Sequence, residues 1–147
     1  MERFEVEMDH MFDHEKLDVY GVELEFIRWL TDFLAEISEY PAVQRRELVD
    51  QLDRASMSAL FNTAEGNGKR QGRQRAKFFD DARGSASECA AGLDASVAKR
   101  VATNDRIRGG KEMLARVVAM LTRLVQRFDP DEFRVREDTD RDDTDTL

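Results

Sequence analysis

Apolar positions recur along the chain at helical intervals, in four blocks separated by short polar stretches. In the first block Val22, Phe26, Trp29, Phe33 and Ile37 fall at steps of four, three, four and four, and Leu30 and Leu34 widen the stripe. Residues three and four apart share one helix face, so this spacing predicts a helix over 17–39. It stops before Pro41, because proline disfavours the helical conformation of the residue ahead of it. The second block places Leu48, Leu52, Ala55, Ala59 and Asn62 on one face of a helix over 43–65, with Gly66 and Gly68 as its expected stop. The third sets Phe79, Ala82, Ala86, Cys89 and Leu93 in register over 73–102. Its core face is rich in small residues (Ala82, Gly84, Ser85, Ala86, Ala90, Ala91), which lets a neighbouring helix come close.

The fourth block, 105–128, shows Leu114, Val117, Leu121, Leu124 and Phe128 in heptad spacing, with Thr103 or Asn104 available as a cap. Gly109 and Gly110 sit in its first turns, where each costs about 1 kcal/mol relative to alanine. Met113, Val118, Met120 and Val125 lie beside the stripe, so this helix is either centrally buried or shares a second face with another subunit. No stretch alternates with period two, so strands are not expected. The economical architecture is all-α: an antiparallel up-down-up-down four-helix bundle.

With 147 residues the chain suits one domain, and 41% hydrophobic residues supply a core despite a charged fraction of 37%. The net charge of −8 is unevenly spread. Residues 1–40 carry 12 acids and 3 bases, 129–147 carry 9 acids and 3 bases, and the intervening body carries 10 acids and 17 bases. The organisation expected is an acidic arm over 1–15, the bundle over 16–128 and a disordered acidic tail over 129–147, whose large apolar residues are Phe133, Val135 and Leu147. One cysteine excludes an intrachain disulfide framework. No apolar run has the length of a membrane span and the N-terminus is too acidic for a signal peptide, so a cytoplasmic location is expected.

His10 and His14, at i and i+4 with Asp9 and Asp13 nearby, have the spacing of a metal pair. They lack the Glu of the zinc-protease motif and read as part of a solvated arm; no metal is expected. Cys89 falls on an apolar stripe without a histidine partner and reads as a small core residue rather than a nucleophile. Glu65-Gly66-Asn67-Gly68-Lys69 follows a helix rather than a strand and lacks the phosphate-loop spacing, so it reads as a turn and no cofactor is expected. Glu65 and Glu88 read as members of structural ion pairs, for instance with Arg54, in the absence of Glu-x-x-His motifs. The run from Lys69 to Lys77 is different. Lys69, Arg70, Arg73, Arg75 and Lys77 put five cations and no acid into nine residues, followed by Phe78 and Phe79. Such a cluster is a candidate phosphate or nucleic-acid contact, against ordinary solvation or pairing with the acidic first helix of another subunit.

These residues also carry a resemblance. Gln51-Leu52-Asp53-Arg54-Ala55 and Asn62-Thr63-Ala64-Glu65-Gly66-Asn67-Gly68-Lys69 resemble the hallmark of the four helix bundle proteins, also called 23S ribosomal RNA intervening-sequence proteins. Lys16-Leu17-Asp18-Val19-Tyr20, Lys77-Phe78-Phe79, the stretch Ala82 to Cys89 and Met120-Leu121-Thr122-Arg123-Leu124 match further, so the likeness covers 12–128. Thr63 stands where the pattern has isoleucine, Leu60 where proline is frequent and Asp53 where a base is common. The resemblance implies an up-down bundle that assembles into a homopentameric ring and has no catalytic activity. A related branch, the accessory proteins of diversity-generating retroelements, works with a reverse transcriptase and RNA. By resemblance Asn62, Ala64, Glu65, Gly66 and Gly68, with Arg83, Gly84 and Glu88, hold the second hairpin: the glycines turn, while Asn62 and Glu65 bond exposed backbone or Arg83. The expected function is a non-enzymatic, self-associating interaction scaffold. The alternative is an accessory protein that binds RNA or single-stranded DNA through the basic turn.

Overall fold

The computed structural model describes residues 10–131, and among these every regular element is helical. A 3-10 turn, Asp13–Lys16, leads into α1 (Asp18–Ile37), α2 (Ala42–Gly68), α3 (Gly72–Ala98) and α4 (Asn104–Phe128). Helix α2 packs on α3, α3 on α4, and α1 lies against both α2 and α4, around one apolar core. Most of the acidic arm and tail read from the sequence, 1–9 and 132–147, lies outside the described residues. Asp129 is still buried, and its amide donates to the Val125 carbonyl.

The apolar stripe of α1 buries Val19, Val22, Phe26, Leu30, Phe33 and Ile37. Each such side chain is worth about 1.5–3 kcal/mol when fully withdrawn from water. Between α2 and α3 the small residues allow close approach: a Cβ on Gly92 would fall 2.6 Å from Leu52 Cδ2. Ser58 and Ser85 hydroxyls meet across this seam at 2.9 Å.

Two boundaries and one burial register differ from expectation, each for a physical reason. Helix α2 runs through Gly66 and Gly68, neither of which adopts a positive φ, so they are not the turn residues expected. Gly66 instead opens space: a Cβ there would lie 3.0 Å from Phe78 Cβ and 3.1 Å from Phe79 Cδ1. Helix α3 stops at Ala98, short of residue 102, because Arg100 turns left-handed at φ 64°. The amides of Arg100 and Val101 then bond back to Val97 and Ser96 carbonyls, a Schellman-type closure that leaves Val101 buried. In α4 the buried positions are Ile107, Gly110, Leu114, Val117, Leu121 and Val125, so the 3.6-residue period drifts off the heptad at the last turn and leaves Leu124 and Phe128 half-buried. Thr103 caps α4, its Oγ1 accepting from the Arg106 amide at 3.2 Å. Met113, Val118 and Met120 are half-buried against the same core. Among the described residues the large exposed apolar side chains lie elsewhere: Met11, Phe12, Tyr40, Val43 and Phe61.

Candidate functional site

The end of the fold that carries the α2–α3 turn also carries the 3-10 turn and the end of α4. Gly72 makes this possible, since a Cβ there would fall 2.7 Å from the Phe128 carbonyl oxygen. Asn67, a position not singled out in the sequence, joins the parts. Its Nδ2 donates to Asp13 Oδ2 at 2.8 Å, and its Oδ1 accepts from Arg75 Nη2 at 3.1 Å. Donation from Asn67 first, and then the nearby Lys16 and Arg75 charges, hold the Asp13 carboxyl below its ordinary range against a smaller desolvation effect.

The five cations of this turn therefore do different things. Arg75 is half-buried, with its guanidinium 4.3 Å from the centre of the Phe128 ring. Lys69 pairs with Glu65 at 3.2 Å and lies over the Phe78 ring at 5.2 Å. Arg70, Arg73 and Lys77 are exposed, and Arg73 Nε stands 4.0 Å from Asp129 Oδ2. Of the five cations proposed as phosphate contacts, Arg75 is thus engaged within the fold by Asn67 and Phe128, whereas Arg70, Arg73 and Lys77 are exposed.

The residues carried over by resemblance do not converge on one point. Asn62 Nδ2 donates to the Ser58 carbonyl one turn back at 2.9 Å, and Glu65 is exposed beside Lys69. Ala64 is half-buried, Gly68 meets nothing within 4 Å, and Gly84 and Glu88 are exposed. Arg83 does not reach Asn62 or Glu65. It pairs with Asp80 at 2.7 Å and donates to Thr122 Oγ1 at 3.2 Å, tying α3 to α4 rather than to α2.

On the outer face of α2 an open groove runs past Asp50, Asp53, Arg54, Met57 and Phe61. Phe61 is 59% exposed and shares this groove with half-buried Met57. His14, in the 3-10 turn, sits between the Phe12 and Tyr20 rings at 5.8 and 4.8 Å, and no cluster of three metal-type ligands occurs among the described residues. Burial, and secondarily the Glu88 charge, push the Cys89 thiol up to about 12.

One buried group has no counterpart in the expectations from sequence. Glu23 is 3% exposed, with Oε2 at 2.8 Å from Thr63 Oγ1. Burial pushes its carboxyl up to about 8, with the Thr63 contact acting in the opposite direction. Its place was readable: Val19, Glu23, Phe26 and Leu30 are spaced four, three and four apart, which puts the acid on the apolar face.

The family model of the 23S rRNA-intervening sequence protein matches residues 15–123. A comparison with curated proteins gives no match. No helix among the described residues is long and apolar enough to cross a membrane.

Proposed function

The chain belongs to the 23S rRNA-intervening sequence protein family, and from that premise we propose that it is a non-enzymatic, antiparallel up-down-up-down bundle that associates with copies of itself into a homopentameric ring and serves in the cytoplasm as an interaction scaffold. The observation that carries this reading is the exposed Phe61 beside Met57 on α2, flanked by Asp50, Asp53 and Arg54. An apolar centre rimmed by charges of both signs is the anatomy of a protein contact. The sheltered, protonated thiol of Cys89 also fits a structural role better than a nucleophilic one. The test is absolute mass in solution for the wild type and for Phe61→Arg. A pentamer that falls to smaller species in the variant, with helicity kept, supports the scaffold. A wild-type monomer overturns it.

A second reading is supported by the exposure of Arg70, Arg73 and Lys77 at one end of the fold. In it, the ring binds RNA or single-stranded DNA, as an accessory protein similar to those of retroelements. Five copies of a weak phosphate contact would gain affinity through multivalency. Binding should weaken steeply with salt and be lost when these three cations are changed to glutamate. Salt-independent binding, or binding that survives the triple change, rejects this reading.

A further inference from the structure

Thr63 Oγ1 stands 2.8 Å from Glu23 Oε2 and 3.0 Å from the Ala59 carbonyl oxygen. A hydroxyl has one proton and cannot donate to both acceptors. The two contacts are satisfied together when Glu23 brings a proton of its own: Oε2–H donates to Thr63 Oγ1, and Thr63 donates to Ala59. Glu23 Oε1 then remains as a bare acceptor, buried and without a hydrogen-bond partner among the described residues.

Beside it lies a small cavity of about 10 Å³, reached by all four helices and lined by Glu23, Phe26, Ser56, Cys89, Leu114 and Val117. That is about the space one water molecule needs. Ser56 Oγ donates its proton to the Asp53 carbonyl at 2.8 Å, so its lone pairs remain available to accept. A water here has two acceptors for its two protons, Glu23 Oε1 and Ser56 Oγ.

We infer that the folded protein carries Glu23 as a neutral carboxylic acid bonded to Thr63, and that Glu23 Oε1 and Ser56 Oγ bind one internal water at the centre of the bundle. The groups that face this acid bring no positive charge to stabilise its anion, and the Thr63 hydroxyl offsets its burial only in part. Helix α2 presents Ser56, Ala59 and Thr63, α3 presents Ala86 and Cys89, and α4 presents Leu114 and Val117. Of these only Cys89 titrates, and it stays protonated because burial holds its thiol near 12. The Glu23 carboxyl, pushed up to about 8 from an ordinary 4.5, therefore keeps its proton in the fold where the unfolded chain has lost it. Across that window the unfolded chain binds fewer protons, so stability falls as pH rises and levels off above about 8.

The experiment compares urea unfolding of the full chain with Glu23→Gln from pH 5 to 10, alongside carboxyl ¹³C NMR of the wild type. Glutamine is the fair comparison, since its amide donates to Thr63 as the acid does and does not titrate. Near pH 5 the two proteins should be similarly stable. The wild-type unfolding constant should then rise relative to the variant by about tenfold per pH unit, and stop rising near 8. A single carboxyl resonance with its midpoint far above the others, and a long-lived water cross-peak to protons around Ser56, would complete the assignment. Parallel pH profiles, or a Glu23 carboxyl that titrates in the ordinary range, overturn the neutral acid. Absence of the bound-water signal overturns the water site. The NMR titration needs no variant, so the inference is decided even where Glu23→Gln fails to fold.

Discussion

The indole of Trp29 occupies the space a side chain at Gly110 would need: a Cβ there would fall 2.5 Å from Cη2 and Cζ3 of the ring. Trp29 cannot easily retreat. It stacks between Phe26 and Phe33, at 5.8 and 5.1 Å between ring centres, and the Arg106 guanidinium lies 5.1 Å above it. The same guanidinium forks onto both oxygens of Glu36 at 2.7 and 2.8 Å.

Gly110→Ala should therefore destabilise the fold by about 1–3 kcal/mol although alanine is the better helix former, because overpacking outweighs propensity. Gly109→Ala is the control. Its Cβ would meet Trp29 Nε1 at 3.7 Å, an ordinary contact, so it should gain up to about 1 kcal/mol. Denaturant midpoints of the two variants test the pair, and equal effects would remove the argument.

The second glycine pair behaves in the same way. Gly66→Ala presses on Phe78 and on Phe79, which is fully buried, and should lower stability by about 1–2 kcal/mol. Gly68→Ala meets nothing within 4 Å in a helical backbone and should be neutral or stabilising by about 1 kcal/mol. A large loss at Gly68 would restore the turn role first read from the sequence.

The contrast between these glycines shows where sequence reading stopped. Four helices were readable because Phe26, Phe33, Leu52, Phe79 and Leu121 sit on period-3.6 stripes, and all of them are buried. What Gly66 and Gly110 do was not readable. A glycine's missing side chain matters through the residue across the interface, Phe79 or Trp29, and that partner is fixed by packing rather than by local spacing. The basic turn was visible as a charge cluster, yet charge counting cannot separate Arg75, engaged by Asn67 and Phe128, from exposed Arg70. Asn67 was hidden for the same reason, since its partners Asp13 and Arg75 lie 54 and 8 residues away.

Arg75→Ala should cost about 1–2 kcal/mol through loss of the ring contact and of the bond to Asn67. Arg70→Ala should change stability by less than about 0.5 kcal/mol. Thermal midpoints of the two variants check the division of labour. Equal losses would mean that the exposed cations also hold the turn.

Cys89 should act as a silent reporter of unfolding. It is 1% exposed and its thiol is held near 12, so thiolate is scarce at neutral pH and no alkylating reagent reaches it in the fold. Iodoacetamide modification should follow the opening of the bundle and accelerate with denaturant. Rapid labelling of the native protein would show that α3 opens locally.

The acidic tail bears on the nucleic-acid reading through its starting point. Asp129 is buried with its carboxylate 4.0 Å from Arg73 Nε, so residues 132–147, with seven acids and three bases, leave the described fold next to the basic turn. Their structure lies outside the described residues, but their charge does not depend on it. On that reading, counter-charge attached this close would compete with phosphate at a high effective concentration and be screened by salt over a Debye length of about 8 Å at physiological ionic strength. Removing the chain after Asp131 keeps Asp129 in place and takes away this competition. The truncated protein should bind RNA several-fold more tightly than the full chain at low salt, and the two should converge as salt rises. Equal affinity at low salt would mean that the tail does not compete for the turn. Loss of binding on truncation would mean that the tail is part of the interface rather than its rival.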